Sequence, residues 1–236
     1  MEIRTSTTVG QIVRYNFKAA QLFDAYHIDF CCGGDISLSE ACSESGEDID
    51  KLMTELDEVL KGRDSETIFI EGLDLDQLSD YIVSRHHAYV NDHIPFLQQK
   101  LQKLCDVHGT NHPELFRIKE IFEIVAGNLT THMKKEELIL FPLLHKIAAI
   151  RKKSPTESGS AGEVQKTIRE LEDEHQAEGD RFKEIAKISG NYTVPPDGCA
   201  TFQVTYGTLQ EFEDDLHRHI HLESNVLFKK AVAPGE

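Results

Sequence analysis

From residue 76 onward the chain repeats one pattern of apolar and polar positions. Val83, Val90, Leu97, Leu101 and Leu104 recur at helical spacing, and so do Phe122, Val125, Leu129, Ile139 and Leu143. Val164, Ile168, Leu171, Phe182 and Ile185 form a third stripe, and Phe212, Leu216 and Leu227 a fourth. Steps of three and four place each set on one face of a helix. Three breaks separate the stripes: HGTNHP (108–113), KKSPTESGSAG (152–162) and GNYTVPPDG (190–198). Pro113 suits a first helical position. Thr201–Tyr206 has some β-propensity, yet the fourth stripe is expected to run through it. Four long helices with short connections predict an up-down-up-down four-helix bundle over residues 76–236.

Residues 1–62 read differently. Thr8 with Gln11, and Ser37 with Glu40, fit the capping-box pattern and mark two helix starts. Ile49, Leu52, Met53, Leu56, Val59 and Leu60 keep a helical period up to Gly62. A unit this short buries a marginal core, so a small helical domain is expected. Residues 63–75 show no sustained period and contain Gly72, which reads as a linker. The predicted fold class is therefore all-α, a small helical domain followed by the bundle.

Each bundle stripe carries polar residues where apolar ones belong. The first has His87, the second His132 and Glu136, the third His175, the fourth His219 and Glu223. Residues at i and i+4 share a helix face, so both His-x-x-x-Glu pairs point inward. His87 and His132 are 45 positions apart, and His175 and His219 are 44 apart. The midpoints of these pairs fall inside the first and third breaks, and that of Glu136 and His175 falls beside Pro155. Antiparallel neighbours place residues equidistant from their turn at the same height, so all six are expected at one level.

Four imidazoles and two carboxylates are costly in an apolar interior unless a cation holds them. Two metal ions fit the count, and a ligand set without thiolate suits iron better than copper(I) or structural zinc, with manganese left open. His108 continues the first stripe, but about 31 Å beyond His87 in a straight helix, so it reaches the same centre only if the helix breaks, as at Pro95. The other histidines, including His86, His217 and His221, are expected at the surface or in loops. Pro142 should kink the second helix. Tyr89, Glu174 and Glu178 lie near the metal level as candidate supports for the ligands.

Composition narrows the function classes. Lys+Arg is 25 against 41 Asp+Glu, a formal net charge of −16, which disfavours nucleic acid and anionic membrane as partners. No apolar run reaches the roughly 18 residues of a membrane span, and MEIRTSTTVGQIVRYNF lacks the apolar core of a secretory signal. The five cysteines are odd in number, so a reducing cytoplasm is expected rather than a disulfide framework. Cys105 and Cys199 fall in otherwise helical patterns, and inert packing or surface roles are expected for both. Cys31 and Cys32 are adjacent in DFCCGGD, where Gly33 and Gly34 permit a sharp turn that would expose both sulfurs. Such a pair suits thiolate chemistry or metal transfer.

DFCCGGD, LTTHMKKEELILFP (129–142) and HRHIHLESNVLF (217–228) resemble the signatures of the ScdA/YtfE-type Repair of Iron Centres family. The resemblance covers almost the whole chain, with a ScdA-like domain before a hemerythrin-like bundle. It implies a non-haem di-iron protein that helps restore iron–sulfur clusters damaged by oxidative or nitrosative stress. The implied ligands are His87, His132, Glu136, His175, His219 and Glu223, with Glu136 and Glu223 bridging and an oxo bridge expected. Cys31 and Cys32 match the family's cysteine pair.

The leading functional expectation is iron supply, with iron passing from the di-iron centre through Cys31 and Cys32 to damaged iron–sulfur proteins. Two alternatives stay open: reduction of nitric oxide at the centre, and a hemerythrin-like O2 or redox sensor. The chain is expected to act as a monomer or homodimer.

Overall fold

The computed structural model describes residues 3–153 and 161–233. The expectation for the second break falls partly on residues 154–160, outside the described residues. Among the described residues there is no strand, only an isolated bridge between Thr8 and Ser37. The chain is all-α.

Two compact units divide it. One comprises Met1–Ser79, Leu144–Ala161 and Arg218–Glu236, and the other Asp80–Leu143 and Gly162–His217.

In the first unit, helices α1 (Val9–Tyr15), α3 (Leu38–Ser45) and α4 (Ile49–Val59) follow the two marked starts and the 49–60 period, and α2 (Lys18–Ala25) lies between α1 and α3 in the chain. Both capping boxes form, with Thr8 and Ser37 each accepting an N–H bond while Gln11 and Glu40 reach back. Gly46 closes α3 at φ 74°, a conformation that glycine adopts without Cβ strain. Ile12, Phe23, Leu38, Leu52 and Leu56 are fully buried between these helices.

Residues 63–75 contain helix α5 (Ser65–Glu71), where the sequence suggested a linker. Asp64 caps it by accepting the Thr67 N–H at 2.9 Å. The Thr67 hydroxyl accepts the Phe17 N–H at 3.0 Å, and Asn16 donates to the Gly62 carbonyl at 2.8 Å. A helix this short buries only Thr67 and Ile70. Two buried positions are too few to register as a period, which is why the pattern was silent.

The remaining helices form four long runs. Helix α6 (Leu75–Ile82) continues through a π-turn (Val83–His87) into α7 (Ala88–His108). Helix α8 (Glu114–Lys135) continues through a second π-turn (Glu136–Leu140) into α9 (Phe141–Lys153). Helix α10 spans Ala161–Ile188, and α11 (Ala200–His221) continues through a third π-turn (Leu222–Leu227) into α12 (Phe228–Val232). Helix α7 runs unbroken through Pro95, so His108 stays at its far end.

Pro142 was expected to kink the second bundle helix, and the departure takes the form of the second π-turn. Proline offers no N–H and crowds the carbonyl four residues back. The turn widens just before it, and the Phe141 N–H bonds to the Glu136 carbonyl, five residues away. The extra residue also rotates the stripe. Ile139, expected inward, is 51% exposed, while Leu140 and Leu144 are fully buried. The first π-turn does the same, with Ile82 buried and Val83 only half-buried.

Within the second unit, the core lies between α7, α8, α10 and α11. Leu97, Leu101, Ile118, Val125, Ile185 and Leu209 are buried there. Phe212 packs edge-on to Phe122 with ring centroids 5.6 Å apart, and stacks on Phe182 at 5.7 Å.

Candidate metal centre

Three π-turns hold or adjoin three of the six polar stripe residues: His87 ends the first, Glu136 begins the second, and Glu223 lies in the third. A π-turn re-aims side chains that a regular helix would send elsewhere, and such turns concentrate at functional sites. The carbonyls of Glu136 and Glu223 each accept the N–H five residues on, so the backbone is widened at both carboxylates.

In the second unit, His87, His132, Glu136 and His175 are brought together. All four are buried, Glu136 completely. Ligand atoms of His132, Glu136 and His175 lie within 4.8 Å of one another. The Nε2 atoms of His87 and His132 approach Glu136 Oε2 at 3.3 and 3.4 Å. His132 and His175 face each other Nε2 to Nε2 at 3.1 Å.

The outer edges of two rings are held by carboxylates. His87 Nδ1 sits 2.7 Å from Glu137 Oε1, and His132 Nδ1 sits 2.9 Å from Glu174 Oε2. A carboxylate there fixes Nδ1 as the protonated nitrogen and turns the Nε2 lone pair inward. The His132 bond, reinforced by Lys135, holds the Glu174 carboxyl at about 2, well below the ordinary range. Glu178 accepts bonds from Asn128 at 2.8 Å and Arg181 at 2.7 Å, and burial pushes its carboxyl upward. A cleft of about 390 Å³ bordered by Asn128, Lys135, Glu174 and Glu178 reaches His132. Tyr89 instead stacks on His93, with ring centroids 3.8 Å apart.

In the first unit, His219 and Glu223 form a buried pair, with Nε2 2.9 Å from Oε1. Their spacing of one helical turn repeats that of His132 and Glu136.

These residues fit a cation. Glu136 is fully buried, yet neither of its oxygens accepts a hydrogen bond. The facing Nε2 atoms of His132 and His175 present two imidazole nitrogens to one small space. A buried carboxylate and converging lone pairs are stabilised by a positive ion placed among them.

Two histidines expected at the surface are buried. His86 is 1% exposed and pairs with Asp215 at 3.0 Å. His221 is 1% exposed, and burial pulls its pKa down to about 3. Phe17 and Phe30 cover it, with ring centroids 5.9 and 6.1 Å away. The helix face opposite His219 is thus packed rather than solvated. The run Ile220–Phe228 is apolar on more than one side, a signal that this segment is enclosed. His108 joins no ligand group among the described residues, and its Nε2 lies 3.2 Å from Cys199 Sγ.

The cysteine pair also departs from expectation. Cys31 is 4% exposed and Cys32 is half-buried, so the turn does not present both sulfurs. Their Sγ atoms are 3.7 Å apart. Asp29 Oδ1 accepts the N–H groups of Cys31, Cys32 and Gly33 at 3.1, 3.0 and 3.1 Å, and the Cys31 thiol at 3.3 Å. Cys32 and burial hold the Cys31 thiol well above its ordinary pKa.

Asn225, which sequence reasoning passed over, pins this loop. Its Nδ2 donates to the Cys31 carbonyl at 3.1 Å. A Cβ on Gly34 would lie 2.7 Å from Asn225 Oδ1, and one on Gly10 only 2.4 Å away. The glycines here serve close approach of the amide rather than a positive φ.

Residues 5–60 match ScdA_N, a domain of unknown function, and residues 78–231 match the hemerythrin HHE cation binding domain. The iron-sulfur cluster repair protein ScdA of Staphylococcus haemolyticus is 32% identical over 97% of this chain and 99% of its own. The chain belongs to the ScdA/YtfE family. Another relative is the iron-sulfur cluster repair protein YtfE of Escherichia coli O1:K1, 29% identical over 95% of this chain and 96% of its own. In this member of the family, all six stripe residues fall inside the cation-binding match, and Cys31, Cys32 and Asp29 fall inside ScdA_N. No helix among the described residues is long and apolar enough to cross a membrane.

Proposed function

We propose that this chain is a non-haem di-iron protein that helps repair iron–sulfur clusters damaged by oxidative and nitrosative stress. His87, His132, Glu136, His175, His219 and Glu223 would hold two iron ions, with Glu136 and Glu223 shared between them. The observation that supports this reading most directly is the orientation of His87 and His132, whose Nδ1 atoms rest on Glu137 and Glu174 while Nε2 points at buried Glu136. The repair role rests on the names of the ScdA and YtfE relatives, which align along nearly the whole chain.

When bound, the iron centre supplies Lewis acidity and one-electron redox chemistry. The chain's own residues do the rest. Glu137 and Glu174 keep two imidazoles in the ligating tautomer, and the Phe141 ring stacks on His87 with centroids 5.8 Å apart. We divide the chain functionally at residues 1–62, 63–75 and 76–236.

Iron is also the cargo. Cys31 and Cys32 would accept an iron ion as thiolates, each giving up a proton, and pass it to a damaged cluster protein. The buried Cys31 thiol is held protonated, so capture begins at the more exposed Cys32. The chemistry belongs in a reducing compartment such as the cytoplasm, where the thiols stay reduced.

Iron analysis with Mössbauer spectroscopy on the wild type, Glu136→Ala and Glu223→Ala tests the centre. Two coupled irons in the wild type and loss of coupling in both variants are expected; iron near zero in the wild type would refute it. The double variant Cys31→Ser/Cys32→Ser should keep its iron but restore a nitric-oxide-damaged dehydratase poorly. Full restoration by that variant removes the relay.

A further inference from the structure

The loops at 108–113 and 190–199 gather a cluster that neither the metal centre nor the Cys31–Cys32 pair uses. Cys199 is exposed and immediately precedes Ala200, the first residue of α11. Its carbonyl accepts the Gln203 N–H at 3.1 Å, which makes it the N-cap of a 22-residue helix. The backbone N–H groups of Thr201 and Phe202, in the first turn of α11, favour the ionised form of its thiol. His108, on the last turn of α7, places Nε2 3.2 Å from Sγ. Its ring is braced edge-on against buried Phe202, with centroids 5.5 Å apart. His112 closes the cluster, bonded to Asp197 at 3.0 Å and Glu114 at 2.9 Å.

We propose that Cys199 and His108 form a reactive thiol–imidazole pair, a modification site that forms mixed disulfides with low-molecular-weight disulfides. The imidazole takes the thiol proton, and the helix N-terminus with its two N–H groups stabilises the thiolate. The thiolate attacks one sulfur of a disulfide RSSR. A Cys199–SR bond forms, the RS–SR bond breaks, and RS⁻ leaves with the electron pair. Cys199 is oxidised, the departing sulfur is reduced, and the proton held on His108 is available to the leaving thiolate. No further oxidant is needed.

Other thiols compete poorly on geometric grounds. Cys31, Cys42 and Cys105 are buried, and Cys32 is half-buried. Burial raises the Cys42 and Cys105 thiols, whereas the His108 bond lowers Cys199 to about 7. The charged groups around the sulfur are His108 from α7, His112 and Glu114 from the start of α8, and Asp197 from the loop before α11. The two carboxylates are both engaged by His112, so the imidazole of His108 is the charge that acts on Cys199.

The magnitude can be worked out. A thiol of pKa about 7 is about half ionised at pH 7, and one of about 8.5 is about 3% ionised, a roughly sixteenfold difference. The weaker nucleophilicity of the more acidic thiolate returns about fivefold of this. Removing His108 should therefore slow disulfide exchange only about threefold at pH 7, while moving the pH midpoint up by more than a unit.

The test uses the full-length, iron-loaded protein. Limiting glutathione disulfide at pH 7 is followed by peptide mass mapping, and 4,4′-dithiodipyridine gives the pH–rate profile. Cys199 should carry the first glutathione, with a rate midpoint near pH 7. In His108→Gln, which keeps ring-sized packing against Phe202, the midpoint should rise toward about 8.5. First modification at Cys32 or any other cysteine would overturn the proposal, as would a Cys199 profile unchanged by His108→Gln.

Discussion

Asn225→Ala is expected to loosen the Cys31–Cys32 loop while leaving the ligand histidines of the second unit in place. Asn225 is 4% exposed, and its amide supplies one well-formed bond to the Cys31 carbonyl at 3.1 Å and a longer approach to Phe30 at 3.4 Å. Truncation leaves at least one buried carbonyl unmatched, at a cost of about 1–3 kcal/mol. Taking about 2 kcal/mol, loop opening becomes roughly 30-fold more frequent. Alkylation of Cys31 by iodoacetamide, read by mass spectrometry under native conditions, should accelerate by that factor. The thermal midpoint should fall by about 4–8 °C for a chain of this size. Gly10→Ala supplies the cross-check, since its new Cβ would lie 2.4 Å from Asn225 Oδ1. Its damage should be partly relieved in the Asn225→Ala background, but not fully, because the Gly34 carbonyl lies at 2.9 Å from the same point. Unchanged Cys31 alkylation in Asn225→Ala, or strict additivity of the two substitutions, would refute the pinning role.

Glu174→Ala should weaken metal retention about 10- to 100-fold, because His132 loses the carboxylate that orients its ring; competition with a chelator measures this, and Glu170→Ala serves as a neutral control. Glu137→Gln should perturb the His87 side of the centre more mildly, since an amide oxygen can still accept from Nδ1, and the change should appear in the Mössbauer parameters more than in iron content. Burial raises the Asp64 pKa, but bonds from Thr67 lower it further, for a net depression. Its contribution to stability is therefore present above the unfolded value of about 3.9 and lost as pH falls through the depressed folded value. Asp64→Asn keeps the cap but removes the charge at the helix N-terminus, and should cost about 0.3–1 kcal/mol at pH 7. The gap to wild type should close at acid pH, and denaturant titrations at pH 7 and pH 3 that show an equal gap would contradict the assignment.

Periodicity along the chain sufficed for the long helices, the two capping boxes and the placement of His87, His132, Glu136 and His175 on inward stripes. Those features are local: a capping box needs residues three apart, and a stripe needs only the helical repeat. The sequence could not show the three π-turns, because one inserted residue leaves composition intact while rotating everything beyond it. Ile139, expected inward, is exposed and Leu140 is buried for that reason. Helix α5 escaped notice because its stability lies in a cap and a bond to Phe17 rather than in a repeating face. His86, His221 and Asn225 looked like ordinary polar positions, since burial is decided by what packs over a residue. Phe17, Phe30 and the Cys31 backbone, about two hundred positions away in the chain, are what enclose His221 and Asn225. Likewise Cys199 and His108 are 91 positions apart, and only tertiary folding brings that thiol to that imidazole. Short-range order was written in residue spacing; burial, loop pinning and thiol reactivity were decided where distant segments met.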